Sequence, residues 1–125
     1  MRVKISKTVD FDAAHWLPFV ADGHKCKRMH GHTYRVEVMA EGDPDERGMV
    51  VDYAELAAAW APIEAVVDHR TLNEVPGLEN PTTEILAPWM LERFSRSVQQ
   101  VVAVRVYESA TTWCEATRHQ DGAKP

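Results

Sequence analysis

The sequence predicts an α+β domain: a four-stranded antiparallel sheet with two helices covering one face. Three observations predict it. Two stretches near the start alternate apolar and polar residues with a strand's period, two central stretches repeat at helical spacing, and two shorter alternating stretches close the chain. Of the 125 residues, 1–118 are expected to form a single domain, and 119–125, polar with Gly and Pro, a flexible tail.

Residues 2 to 12 read as the first strand. Val3, Ile5, Val9 and Phe11 share a parity, broken at Lys7, that runs on through Ala13 to His15 and puts His15 on the apolar side. Trp16 to Met29 contains Pro18, Gly23 and dense charge and reads as a long loop, a kind that is usually functional in compact domains. The second strand runs from about His30 to Glu41, with Tyr34, Val36, Val38 and Ala40 on the face of His30 and His32, before a turn at Gly42-Asp43-Pro44-Asp45.

The first helix starts at Asp52 as N-cap, with Glu55 three residues on, and its apolar stripe is Leu56, Ala59, Trp60, Ile63, Val66 and Val67. Pro62 lies inside it. An interior proline costs about 3 kcal/mol, so a kink or two shorter helices are expected, ending near Asp68-His69-Arg70. Val75-Pro76-Gly77-Leu78 is a loop. The second helix starts after Asn80-Pro81 with Thr82 as cap and Glu84 favouring the helix dipole. Ile85, Leu86, Trp89, Met90 and Phe94 form its buried stripe, Arg93 and Arg96 face solvent, and Pro88 suggests an irregular first turn. In the next strand Val102, Val104, Val106 and Glu108 share a face, so a carboxylate ends an apolar row; the last strand covers roughly Thr111 to Ala116. The two edges of such a sheet are an association hazard that pairing with neighbouring subunits would remove.

A net charge of -5 and a pI near 5.6 argue against a general nucleic-acid or membrane binder, which needs a basic face. No apolar run reaches the roughly 18 residues of a spanning helix, and Met1-Arg2-Val3-Lys4-Ile5 already alternates like a strand, so neither signal peptide nor anchor is expected. Two cysteines, Cys26 and Cys114, are too few for a disulfide scaffold; a cytoplasmic location with both reduced is expected.

The chemistry gathers in Cys26-Lys27-Arg28-Met29-His30-Gly31-His32. His30 and His32 point to one face and His15 joins them from the first strand. Three imidazoles suit a catalytic zinc with a fourth position open, whereas Cys26 as fourth ligand would make the site structural. The plainer alternatives are an incidental histidine pair and a small buried cysteine. Positive charge from His24, Lys25, Lys27 and Arg28 near Cys26 favours a thiolate. Asp68-His69 reads either as a carboxylate supporting a protonated imidazole or as a solvated helix end. Glu108 on a valine face needs a partner: a guanidine-like ligand edge, or an internal Arg or backbone amide.

Phe11-Asp12-Ala13-Ala14-His15, the Cys26 to His32 segment, Asp68-His69-Arg70 with Leu72 and Asn73, Asn80-Pro81-Thr82-Thr83-Glu84 and Val106-Tyr107-Glu108 together resemble the 6-pyruvoyltetrahydropterin synthase family, in order and over nearly the whole chain. The three-residue gap between Cys26 and His30 is most similar to the bacterial branch, 6-carboxy-5,6,7,8-tetrahydropterin synthase of queuosine and deazapurine biosynthesis. The resemblance implies a tunnelling fold whose units trimerise into a twelve-stranded barrel and stack as a homohexamer, with active sites between subunits. It implies zinc on His15, His30 and His32, Cys26 as catalytic thiol, and a proton relay of Asp68 and His69. Glu108 would anchor the pterin, helped by groups near Thr82 and Thr83; Lys25, Lys27 and Arg28 are candidates for the triphosphate, or solvated loop charges. One departure is Ile85, where many members have Asn. The implied reaction converts 7,8-dihydroneopterin triphosphate to 6-carboxytetrahydropterin, acetaldehyde and triphosphate. The alternatives are the pyruvoyl-forming synthase and a non-catalytic zinc-stabilised module that binds a pterin or purine.

Overall fold

Strands β1 (Val3–His15) and β2 (His30–Gly42) pair antiparallel along their whole length, from Val3 opposite Gly42 to His15 opposite His30. They belong to a computed structural model that describes residues 1–118; the expected tail, 119–125, lies outside the described residues. Strand alternation sorts their side chains. Phe11, Ala13, His15, Tyr34, Val36, Val38 and Ala40 are buried on the inner face, while Thr8, Asp10, Asp12, Thr33 and Arg35 are exposed on the outer one. Val3, at the start of the apolar row, is exposed.

The chain then forms α1 (Tyr53–Val67), β3 (Arg70–Thr71), α2 (Thr83–Ser97), β4 (Val101–Ser109) and β5 (Thr112–Thr117). Sheet order is β3-β1-β2-β4-β5, so there are five strands where four were expected. The added strand is two residues long and pairs parallel with β1 at Ala13 and Ala14, too short for any periodicity to reveal it. His69 creates it. Its left-handed backbone (φ 57°) turns the chain out of α1, and its N–H donates to the Asp12 carbonyl at 2.6 Å.

Asp52 caps α1 as expected, its carboxylate accepting the Ala54 N–H at 2.9 Å while Glu55 accepts the Asp52 N–H at 3.2 Å. Neither proline divides its helix. Pro62 and Pro88 are exposed, and the carbonyls four residues back, on Ala58 and Glu84, belong to exposed residues that water can serve. Thr82 occupies the N-cap position of α2 but its side chain makes no capping bond.

The buried stripes differ from those expected, losing Val66 in α1 and shifting to include Ala87 and Leu91 in α2. Leu56, Ala59, Trp60, Ile63 and Val67 fill the buried side of α1, and Leu86, Ala87, Met90, Leu91 and Phe94 that of α2. Val66 and Ile85 lie off these stripes and are 41% and 40% exposed. Arg93 does not stand free in solvent: it is half-buried, its guanidinium 4.0 Å from the Trp89 ring centre. Phe11 stacks on Tyr34 at 4.8 Å and Trp60 packs between Phe11 and Phe94, joining sheet to helices. Each such fully buried large side chain contributes about 1.5–3 kcal/mol. No helix among the described residues is long and apolar enough to cross a membrane.

Candidate metal centre and active site

The last residue of β1 and the first of β2 face each other across the sheet, so His15 and His30 are a cross-strand pair, and His32 points the same way two residues on. Their ligand nitrogens lie within 4.8 Å of one another. His15 Nδ1–H donates to the Pro81 carbonyl at 2.9 Å, just ahead of α2, and His30 Nδ1–H to the Arg28 carbonyl at 2.8 Å. A carbonyl only accepts, so these bonds fix the proton on Nδ1 and leave bare Nε2 lone pairs aimed inward. The two Nε2 atoms then meet at 3.0 Å with no proton between them in the neutral rings. His32 Nε2 is buried and finds no hydrogen-bond partner among the described residues.

Three convergent acceptors, two oriented from behind by carbonyls and one orphaned, fit a cation with imidazole affinity, zinc above all. Burial pushes the pKa of His15 and His32 down, which keeps both neutral as metal ligands must be. The fully buried Tyr34 hydroxyl lies 3.2 Å from His15 Nδ1; burial, then the Glu108 charge, drive its pKa well above the usual range, so it stays neutral.

Cys26 sits in a 3-10 turn (Lys25–Lys27), half-buried, its N–H donating to His24 Nδ1 at 3.0 Å and its carbonyl accepting the Leu17 N–H at 2.8 Å. Its sulfur is not among the converging ligand atoms. Lys27 is held by the Asp22 carboxylate at 2.6 Å and the Val20 carbonyl at 3.3 Å, whereas Lys25 and Arg28 are exposed. Glu108 falls where β4 and β5 slip register between Tyr107 and Ser109, a bulge that aims its carboxylate at the histidines. Its oxygens lie 4.0 Å from His15 Nε2 and 3.8 Å from His32 Nε2. Thr82 and Thr83 are half-buried beside Pro81, and the Thr83 hydroxyl donates to Glu84 at 3.2 Å.

Asp68 and His69 are elsewhere. His69 borders an open cleft of about 530 Å³ that His32 also lines, with Asp12, Gly31, Thr33 and Arg70, and the Asp68 carboxylate clusters with His69 and Asp12 within 4.8 Å. Asp12, which clusters with Asp68 and His69, has the opposite strand parity to the histidine trio, so the pair lies toward the outer face of the sheet, although His32 lines part of the same cleft. His69 Nδ1 donates to Asp68 at 3.0 Å, and Asp68 also accepts the Asp12 N–H at 3.0 Å. The Asp68 hydrogen bond and charge, with Asp12 beyond, raise the His69 pKa; the Asp12 amide and His69 lower that of Asp68.

Sequence reasoning missed one tie. The Asn73 side-chain amide pairs with the main chain of Trp16, accepting its N–H at 3.0 Å and donating to its carbonyl at 2.7 Å, and so fixes the residue after His15. Asn73 stood out after Leu72, but nothing local points to a partner so far back in the chain.

Residues 4–119 match the family described as 6-pyruvoyl tetrahydropterin synthase. The chain belongs to that family. A 6-carboxy-5,6,7,8-tetrahydropterin synthase from Synechocystis sp. is 37% identical over 115 residues, covering 86% of this chain and 88% of the relative. A dihydroneopterin monophosphate aldolase from Pyrococcus furiosus is 34% identical over 98 residues, covering 78% and 80%. The solved structure of 6-pyruvoyl tetrahydropterin synthase from Caenorhabditis elegans superposes with a TM-score of 0.86 at 26% identity, over 94% of this chain and 96% of that one. The two helices and five-stranded sheet are thus those of a pterin synthase family.

Proposed function

We propose that the protein is a zinc-dependent 6-carboxy-5,6,7,8-tetrahydropterin synthase that converts 7,8-dihydroneopterin triphosphate to 6-carboxytetrahydropterin, acetaldehyde and triphosphate in cytoplasmic queuosine or deazapurine biosynthesis. The observation that carries this reading is the inward trio of imidazole nitrogens with a half-buried thiol close in sequence but outside the ligand set. His15, His30 and His32 hold the metal. Zinc bound there supplies Lewis-acid stabilisation of oxygens on the substrate side chain.

Cys26, as thiolate, removes a proton from a side-chain carbon, and His69, as imidazolium held by Asp68, delivers one. Glu108 accepts the 2-amino and N3–H edge of the pterin, with backbone groups near Thr82 and Thr83 alongside. Lys25 and Arg28 meet the triphosphate; Lys27 does so only on leaving Asp22. The Asp68–His69 pair clusters with Asp12, whose strand parity is opposite to that of the histidine trio, and this supports a homohexamer with sites shared between subunits.

The test is mass analysis of products from purified protein and 7,8-dihydroneopterin triphosphate. Acetaldehyde with triphosphate is expected. Triphosphate without an aldehyde means the pyruvoyl-forming reaction, a phosphorylated glycolaldehyde means aldol cleavage, and no turnover with zinc bound means a binding module; each defeats the proposal.

A further inference from the structure

The Asp68–His69 pair is not held by its own segment alone. As the chain leaves α1 it takes a left-handed conformation at His69 (φ 57°), which a residue with a Cβ rarely adopts unless its surroundings hold it there. Asp12 of β1 does the holding. Its carbonyl accepts the His69 N–H at 2.6 Å, and its own N–H donates to the Asp68 carboxylate at 3.0 Å. The main chain of one residue thus grips both members of the pair, His69 by its backbone and Asp68 by its side chain.

The Asp12 side chain turns to the same place. Its carboxylate, the Asp68 carboxylate and the His69 ring offer atoms that all lie within 4.8 Å of one another. Nor does it swing freely. Asp12 faces Thr33 across the β1–β2 ladder, and the Thr33 hydroxyl donates to its Oδ1 at 2.5 Å. A neutral hydroxyl leaves the negative charge where it is and fixes its direction.

We infer that Asp12 is a positioning residue for His69, its carboxylate tethered by Thr33 as a second anion beside the imidazole that Asp68 already holds. Two carboxylates around one imidazole favour the imidazolium over the neutral ring. Other charged or titratable groups line the cleft without cancelling them: Arg70 of β3 turns its guanidinium back to the Ala65 carbonyl at 3.4 Å, and burial keeps His32 of β2 neutral. Only the consequence for turnover rests on the pterin-synthase reading, in which His69 must keep its proton until the substrate takes it. Asp12–Thr33 is also the ladder rung next to Ala13–His32, so one hairpin registers the proton donor against a metal ligand. A substitution on that rung's outer face therefore alters proton delivery without touching a ligand.

The test is a proton NMR titration of the zinc-loaded protein, in which metal-bound imidazoles stay neutral and the His69 ring signal is identified by its loss in His69→Gln. A carboxylate about 5 Å from an exposed imidazolium changes its proton equilibrium about threefold. Asp12→Asn keeps the main-chain bonds and can still accept from Thr33. At one pH near the midpoint it is expected to lower the imidazolium-to-imidazole ratio of His69 about threefold, and Asp68→Asn to lower it further. Thr33→Val is expected to lower the ratio as well, but to add nothing in the Asp12→Asn background. An unchanged ratio in Asp12→Asn overturns the inference even if that variant melts lower, because a purely structural tie to β1 would give that result. A Thr33→Val effect that persists without the Asp12 charge overturns the tether. Should Asp12→Asn not fold, Thr33→Val alone decides, and an unchanged ratio there overturns the inference. The titration needs no turnover, so failure to release acetaldehyde would remove the proposed reaction and leave the role of Asp12 standing.

Discussion

Replacing His32 with leucine should stabilise the metal-free protein and abolish its response to zinc. In the metal-free chain, His32 Nε2 is buried without a hydrogen-bond partner among the described residues. Such an atom costs about 1–3 kcal/mol, and an apolar side chain of similar size removes that cost. His32 is partly exposed, which favours the lower end. For a domain of this size 1 kcal/mol moves Tm by about 4 °C, so His32→Leu should melt about 4 °C above metal-free wild type. Zinc reverses the order: at one hundred times Kd it adds about 2.7 kcal/mol, about 10 °C, to a protein that retains all three imidazoles. The assay is thermal melting at one protein concentration, in chelator and in graded free zinc. A variant that melts below wild type in chelator, or gains as much from zinc, refutes the argument that these nitrogens are arranged for an ion at the expense of the empty fold.

Cys26→Ala should keep stoichiometric zinc by elemental analysis and lose about 10²–10⁴-fold in kcat, the usual span for a general base; loss of the metal instead would make the thiol a ligand. Asp68→Asn should lower kcat about 10²-fold and move the alkaline limb of its pH profile to lower pH. The sign follows from His69: its pKa is raised chiefly by Asp68, so the acid form persists above the ordinary histidine value and is lost as pH rises through the raised one. An unmoved limb would remove His69 from the rate-determining proton transfer. Asn73→Ala leaves the Trp16 amide and carbonyl unpaired and should cost about 1–3 kcal/mol in urea titration; a change under 0.5 kcal/mol would mean that water replaces the amide.

The inner face of the sheet was legible because strand parity is a strict rule: Phe11, Ala13 and His15 on one strand and His30, His32 and Tyr34 on the next follow from alternation alone. The same rule put Glu108 on the right face. It could not say that a bulge would turn the carboxylate onto imidazoles, because a bulge is a relation between two strands. The prolines misled for a related reason: what an interior proline costs depends on whether the orphaned carbonyl meets water or core, and both here lie on exposed turns. β3 and the Asn73 pair were invisible because each is made by contacts far apart in the chain, with at most two residues on a side.

The hairpin register sets His15 against His30 as its final rung, so the spacing of the candidate ligands is decided before the intervening segment begins. Residues 16–29 are spanned by a few clips, among them Leu17 to Cys26, and contribute no ligand to the trio. That segment is a cassette. On the proposed reading, a chain of this architecture can exchange the group at position 26, or lengthen the segment around it, and so acquire a different reaction over an unchanged histidine trio.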